Sequence, residues 1–83
     1  MKDRARLQGC REALQQVGLE LRSRGVGVED KGSALLLDYR RAEPLEGVRL
    51  WLDALVAPFV ERGAAERRVC ASHERDVLRL TPP

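Results

Sequence analysis

The stretch Val26-Gly27-Val28-Glu29-Asp30-Lys31-Gly32-Ser33-Ala34-Leu35-Leu36-Leu37-Asp38-Tyr39-Arg40 decides how the chain folds. Val26 and Val28 alternate with Gly27 and Glu29, a period of two that marks a half-buried strand. A polar turn, Asp30-Lys31-Gly32-Ser33, follows, and Ala34 to Arg40 reads as a second strand. Together they predict a β-hairpin over 26–40, with Gly32 supplying a positive φ in its loop.

Upstream the period is that of a helix. Leu7, Cys10, Leu14, Val17 and Leu21 recur at steps of three and four, which predicts a helix over 3–22 with one buried stripe. Arg4, Arg6, Arg11, Glu12, Gln15, Gln16 and Glu20 fall on its other faces, and Gly25 stands where a left-handed cap is easiest for glycine.

Downstream, Pro44 and the acid Glu46 suit a helix start. Val48, Trp51, Leu52, Leu55, Val56 and Phe59 then form a second stripe, a helix over 45–61 in which Pro58 predicts a kink or an early stop. Gly63 closes that region. Arg67 to Ser72 and Val77 to Thr81 read as a second hairpin over 67–81, turning at His73-Glu74-Arg75-Asp76.

The order α-β-β-α-β-β predicts an α+β two-layer sandwich, two helices on one face of a four-stranded, mainly antiparallel sheet. If Val26, Val28, Leu35, Leu37, Tyr39, Leu78 and Leu80 face the helices, alternation sends Glu29, Lys31, Asp38, Arg40, Arg75 and Arg79 to the open side, with Leu36 and Val77 beside them. Antiparallel sheets commonly leave one face to water, so that face is either plain solvated surface or a contact surface.

Composition narrows the choice. The 83 residues fit one domain, read as 1–83. A net charge of +2, from 15 basic and 13 acidic residues, is too balanced to announce a nucleic-acid binder. Thirteen of the bases are arginine, so the one internal lysine, Lys31, stands out. Cys10 and Cys70 lie far apart with a single histidine in the chain, His73, which excludes a zinc-finger pattern. Both thiols read as buried in a reducing cytoplasm, and neither a signal segment nor a membrane-length apolar run is visible. His73, in its turn, reads as a solvent-exposed bystander; Cys10, Trp51 and Phe59 read as core.

The segment Val28 to Arg40 resembles the cap domain of trehalose-6-phosphate phosphatases, members of the haloacid dehalogenase-like superfamily. That cap carries a Glu-x-Lys-Gly turn leading into an apolar strand that ends in His-Tyr-Arg. Glu29-Asp30-Lys31-Gly32 and Asp38-Tyr39-Arg40 stand in those places. The closing Val77-Leu78-Arg79-Leu80-Thr81-Pro82 is similar to the stretch by which such a cap returns to its core, and the order of elements matches over almost the whole chain.

The resemblance implies that Glu29, Lys31 and Arg40 hold the sugar part of a sugar phosphate, and it brings Asp38, Arg75 and Arg79 into the same surface. Here Asp38 replaces the family's histidine, and Arg75 and Arg79 replace its C-terminal lysine and glutamate, which favours a more anionic sugar phosphate than trehalose 6-phosphate. The family's catalysis belongs to a separate core domain with an Asp-x-Asp nucleophile and magnesium. This chain has no Asp-x-Asp, so no catalytic residue and no cofactor are expected in it. The expected partners are a sugar phosphate or disaccharide phosphate and a phosphatase core, with neither nucleic acid nor membrane. Two alternatives come from other classes: a protein-interaction or oligomerisation domain that pairs through an edge strand or the open face, and a polyanion-binding module, disfavoured because Trp51, Tyr39 and Phe59 are assigned to core.

Overall fold

In the computed structural model, residues 7–61 and 69–82 are described. The first helical region runs as α1 (Gln8–Gln16) and α2 (Gly18–Ser23), stepped at Val17. Val17 leaves helical geometry (φ −110°, ψ 22°), where a β-branched residue meets a glycine and helix propensity is lowest. The buried stripe crosses the step: Leu7, Cys10, Leu14 and Leu21 are buried and Val17 packs against them. The single helix expected over 3–22 is therefore two, and its first residues, 3–6, lie outside the described residues.

Gly25 ends α2 as a Schellman cap. Its φ is +81°, the Val26 N–H donates to the Leu21 carbonyl (2.9 Å) and the Gly25 N–H to that of Arg22 (3.1 Å). Leu21 and Val26, the residues such a motif brings together, are both buried.

The sheet comprises β1 (Gly27–Asp30), β2 (Leu35–Asp38), β3 (Cys70–Glu74) and β4 (Val77–Thr81) in the order β1-β2-β4-β3, all neighbours antiparallel. The two hairpins join through β2 and β4, with Leu35 opposite Leu80 and Leu37 opposite Leu78. These four leucines lie under the helices in one core with Leu7, Leu14, Val48, Leu52 and Val56. The expected α+β arrangement, helices on one face and the other face open, is the fold of this chain.

Helix α3 (Leu45–Glu61) continues through Pro58, so the early stop expected there does not occur; late in a helix, proline forfeits one hydrogen bond and the packed face outweighs it. Its last turn is tied to the sheet by Val69 N–H donating to the Phe59 carbonyl (3.0 Å). Gly63, Arg67 and Arg68 lie outside the described residues.

Three other expectations change. The second hairpin turns on Arg75-Asp76 alone, with φ of 49° and 64°, a pair of left-handed residues that a two-residue turn of type I′ requires. His73 and Glu74 thereby belong to β3. Cys10 is buried as read, its thiol pushed up to about 11 by desolvation against a smaller opposing effect of Arg11, whereas Cys70, on edge strand β3, is exposed. Val28 does face the helix side, opposite Leu37, yet is 47% exposed because β1 is an edge strand.

Arg11, expected on an outer face of the helix, is 8% exposed. It forms a bidentate pair with Asp30 (Nε–Oδ2 2.8 Å, Nη2–Oδ1 3.1 Å) and donates from Nη2 to the Gly32 carbonyl. Asp30 Oδ1 in turn accepts the Gly32 N–H (2.8 Å), an Asx-turn. Asp30 points to the helix side because it is opposite Leu35 in the register, so one guanidinium fixes the entire β1–β2 loop to α1.

Arg11→Met is expected to lower stability by about 2–3 kcal/mol in urea unfolding, since it removes the two bonds to the Asp30 carboxylate and the one to the Gly32 carbonyl that hold the loop to α1. A loss under about 0.5 kcal/mol would show the clamp to be ornamental. Gly25→Ala is expected to cost about 2 kcal/mol, because an added Cβ would sit 2.9 Å from the Arg41 carbonyl oxygen at a φ that favours glycine. Gly18→Ala, in open space, is the control, with a gain of up to about 1 kcal/mol in the same assay.

Candidate functional site: the open face of the sheet

Register determines what stands on the face away from the helices. One row across the sheet is Gly27, Asp38, Val77 and Glu74; the next is Glu29, Leu36, Arg79 and Ser72. Lys31 follows at the end of β1, where its N–H donates to the Ala34 carbonyl (2.8 Å). The centre of the face is thus half-buried apolar, Leu36 and Val77, within a charged border.

A depression of about 910 Å³ occupies this face, and Lys31, Arg40, Arg75 and Arg79 line it over Leu36 and Val77. The structure therefore gathers four of the six residues expected to bind substrate. Glu29 and Asp38 stand on an adjoining hollow that shares Leu36, Val77 and Arg40 with it. Their carboxylates hold the cations: Lys31 Nζ lies 3.1 Å from Glu29 Oε1, and Arg40 grips Asp38 through Nε (3.0 Å to Oδ1) and Nη2 (2.7 Å to Oδ2). The Arg40 N–H also donates to Asp38 Oδ1 (3.1 Å). These bonds to Arg40 hold the Asp38 carboxyl below the usual aspartate range and raise the Arg40 guanidinium, so both stay charged.

Arg75 and Arg79 differ. Among the described residues neither lies within ion-pairing distance of a carboxylate. Arg79 sits between Leu36 and Ser72 in mid-sheet, while Arg75 is carried by the β3–β4 turn. Glu74 lines the same depression and supplies a carboxylate acceptor that sequence reasoning missed. Its signal was present: a two-residue turn puts Glu74 opposite Val77, on the same face.

Comparison with protein-family models, with curated proteins and with solved structures finds no match to this chain. The case for the open face therefore rests on its own chemistry. Two cations neutralised by neighbours, two unneutralised, and an apolar floor suit a ligand with an anionic group and a hydroxyl-rich, partly apolar body. Among the described residues no three His, Cys, Asp or Glu side chains gather as a metal site, and the residues of this face do not fit a magnesium ion.

A second polar cluster lies on the opposite side of the sheet. His73, expected to be a bystander, is opposite Leu78 and points toward α3. Its Nδ1 is 2.7 Å from the Tyr39 hydroxyl and its Nε2 is 2.7 Å from Asp53 Oδ1. A neutral imidazole with the proton on Nε2 satisfies all three groups: Nε2–H donates to Asp53, and the Tyr39 hydroxyl donates to Nδ1. The rings meet edge to face, 5.7 Å between centroids at 84°. Burial, partly offset by Arg49, pushes the Tyr39 phenol up, which keeps it a donor. Tyr39 is 1% exposed, too enclosed to meet a substrate, so this chain of bonds is a brace between β2, β3 and α3.

His73→Ala is expected to cost about 1–2 kcal/mol by leaving the buried Tyr39 O–H without its acceptor. Adding Tyr39→Phe should then recover part of that loss, because no buried O–H lacking an acceptor remains. Strictly additive losses in a thermal-unfolding cycle would show that the two groups do not act together.

Proposed function

We propose that this chain is the substrate-specificity cap of a sugar phosphatase similar to trehalose-6-phosphate phosphatases, and that it binds the sugar phosphate on the open face of its sheet. The observation that carries this reading is the gathering of Lys31, Arg40, Arg75 and Arg79 around one depression with an apolar floor. Lys31 and Arg79 supply the phosphate with cationic donors, Glu74 and Glu29 accept from sugar hydroxyls, and Leu36 and Val77 meet the less polar side of the ring. Arg40, already gripped by Asp38, contributes direction more than charge: its position is set before ligand arrives, so less entropy is lost on binding.

Hydrolysis falls to a separate core domain that supplies the nucleophile and magnesium. The cap closes over that core, excludes water and selects among substrates, while no step runs through a metal on this chain. Two free thiols suit a cytoplasmic setting. No helix among the described residues is long and apolar enough to cross a membrane. One observation favours a second reading, an interaction domain: all four residues of β1 are exposed on an edge of the sheet, where another chain could add a strand.

Titration of the nitrogen-15-labelled chain with trehalose 6-phosphate, glucose 6-phosphate and inorganic phosphate tests the cap reading. The amides of Lys31 to Ser33, Arg40 and Arg79 are expected to shift and saturate at millimolar ligand. Lys31→Ala should weaken binding at least about tenfold, the value of one charge-assisted hydrogen bond. No movement of those amides with any sugar phosphate, together with a dimer in light scattering, would replace it with the interaction reading.

A further inference from the structure

Beyond the depression just described, the hollows continue to the start of β1, where the edge of the sheet meets the end of α2. There Arg22, Arg40 and Arg41 line a second hollow of about 370 Å³, whose remaining wall includes Asp38 and Gly27. It joins the first through the shared side chain of Arg40, and through the intervening hollow that holds Leu36, Val77 and Asp38. Asp38 is the lone carboxylate on the second hollow, and both its oxygens are taken up by Arg40. Among the described residues Arg22 and Arg41 have no carboxylate within ion-pairing distance.

Two features make this more than a pair of surface arginines. First, charge is concentrated here: the three adjoining hollows carry six cations (Arg22, Lys31, Arg40, Arg41, Arg75, Arg79) against three carboxylates (Glu29, Asp38, Glu74), an excess of three on a chain whose total is +2. Such an excess in adjoining concavities attracts a multiply charged anion. Second, Gly27 has no structural need to be glycine. Its φ is not in the left-handed region, and a Cβ built on it would meet nothing within 4 Å. Glycine weakens a strand, and one required neither by backbone nor by packing leaves the main chain open to close approach. By register its missing side chain would stand on the open face beside Asp38, in the second hollow.

We infer that Arg22 and Arg41, with the bare backbone of Gly27, form a second anion subsite, and that the ligand of this face is a sugar carrying two anionic groups. One group sits among Lys31, Arg75 and Arg79, the other between Arg22 and Arg41, and Arg40 reaches both. This deepens the sugar-phosphate reading and rests on it: the subsite selects bisphosphorylated or phosphorylated acidic sugars over neutral sugars with one phosphate.

Inorganic phosphate and a matched pair of sugars, glucose 6-phosphate and glucose 1,6-bisphosphate, test it by nitrogen-15 chemical shift. Phosphate is expected to move two separate sets of amides, Lys31 to Ser33 with Arg79, and Gly25 to Gly27 with Arg41. The bisphosphate should bind at least about tenfold tighter than the monophosphate, the effect of one further charge-assisted contact. Arg22→Gln with Arg41→Gln should abolish that advantage and leave glucose 6-phosphate binding as it was. Gly27→Val, which suits an edge strand, should do the same by filling the hollow. Binding of the monophosphate with no gain for the bisphosphate, or a gain that survives both variants, overturns the second subsite alone. Failure of every phosphate to move the Lys31 set overturns the cap reading and the subsite with it.

Discussion

The Arg11 guanidinium is the constraint on which the rest of this structure leans. A short chain has a thin hydrophobic core, and its hairpins are only marginally stable by themselves. Arg11 leaves the outer surface of α1, crosses to the sheet and closes on Asp30 and the Gly32 carbonyl. It thereby fixes the one loop that carries Lys31. The charge is nearly buried, but it does not stand alone: the Asp30 carboxylate answers it with two bonds and still accepts from Gly32. The desolvation of such a charge is offset by these bonds, and their geometry restricts the loop to one arrangement.

From that clamp follows a division of labour between the two faces of the sheet. The helix side is held by leucines and by the bonded chain Tyr39–His73–Asp53, which ties the end of β2 to β3 and α3. Among the described residues no helix or strand lies over the open side, and there Glu29 pairs with Lys31 and Asp38 with Arg40. Tyr39 and Arg40 are neighbours in sequence but serve opposite faces. The brace on one side therefore sets the position of a cation on the other.

Much of this was legible from residue order. Period-two alternation placed Lys31, Arg40 and Arg79 on one face, and helical stripes found Leu7, Leu14, Leu21, Val48, Leu52 and Val56. What stayed hidden depends on partners distant in sequence. His73 looked idle because Asp53 and Tyr39, 20 and 34 residues away, meet it only once β3 lies under α3. Arg11 looked solvated because a helical wheel shows which way a residue points, not how far a long side chain reaches. Cys70 looked buried on chemical grounds, and the edge position of β3 exposes it. The step at Val17 is a local contest between a weak helical segment and the packing on either side, which a stripe spanning both halves conceals.

The strand order bears on how this face comes into being. The central pair, β2 and β4, belongs to different hairpins, with all of α3 between them in the chain. Each hairpin can close early and locally, but β2 meets β4 only after a long loop has been brought together, the slow kind of contact in folding. Lys31 and Arg40 come from the first half, Arg75 and Arg79 from the second. The cationic face thus exists only in the finished molecule. A full-length chain whose two hairpins have closed but not yet paired carries all four of these charges and none of their arrangement, so the face is a product of the last long-range pairing and not of either hairpin.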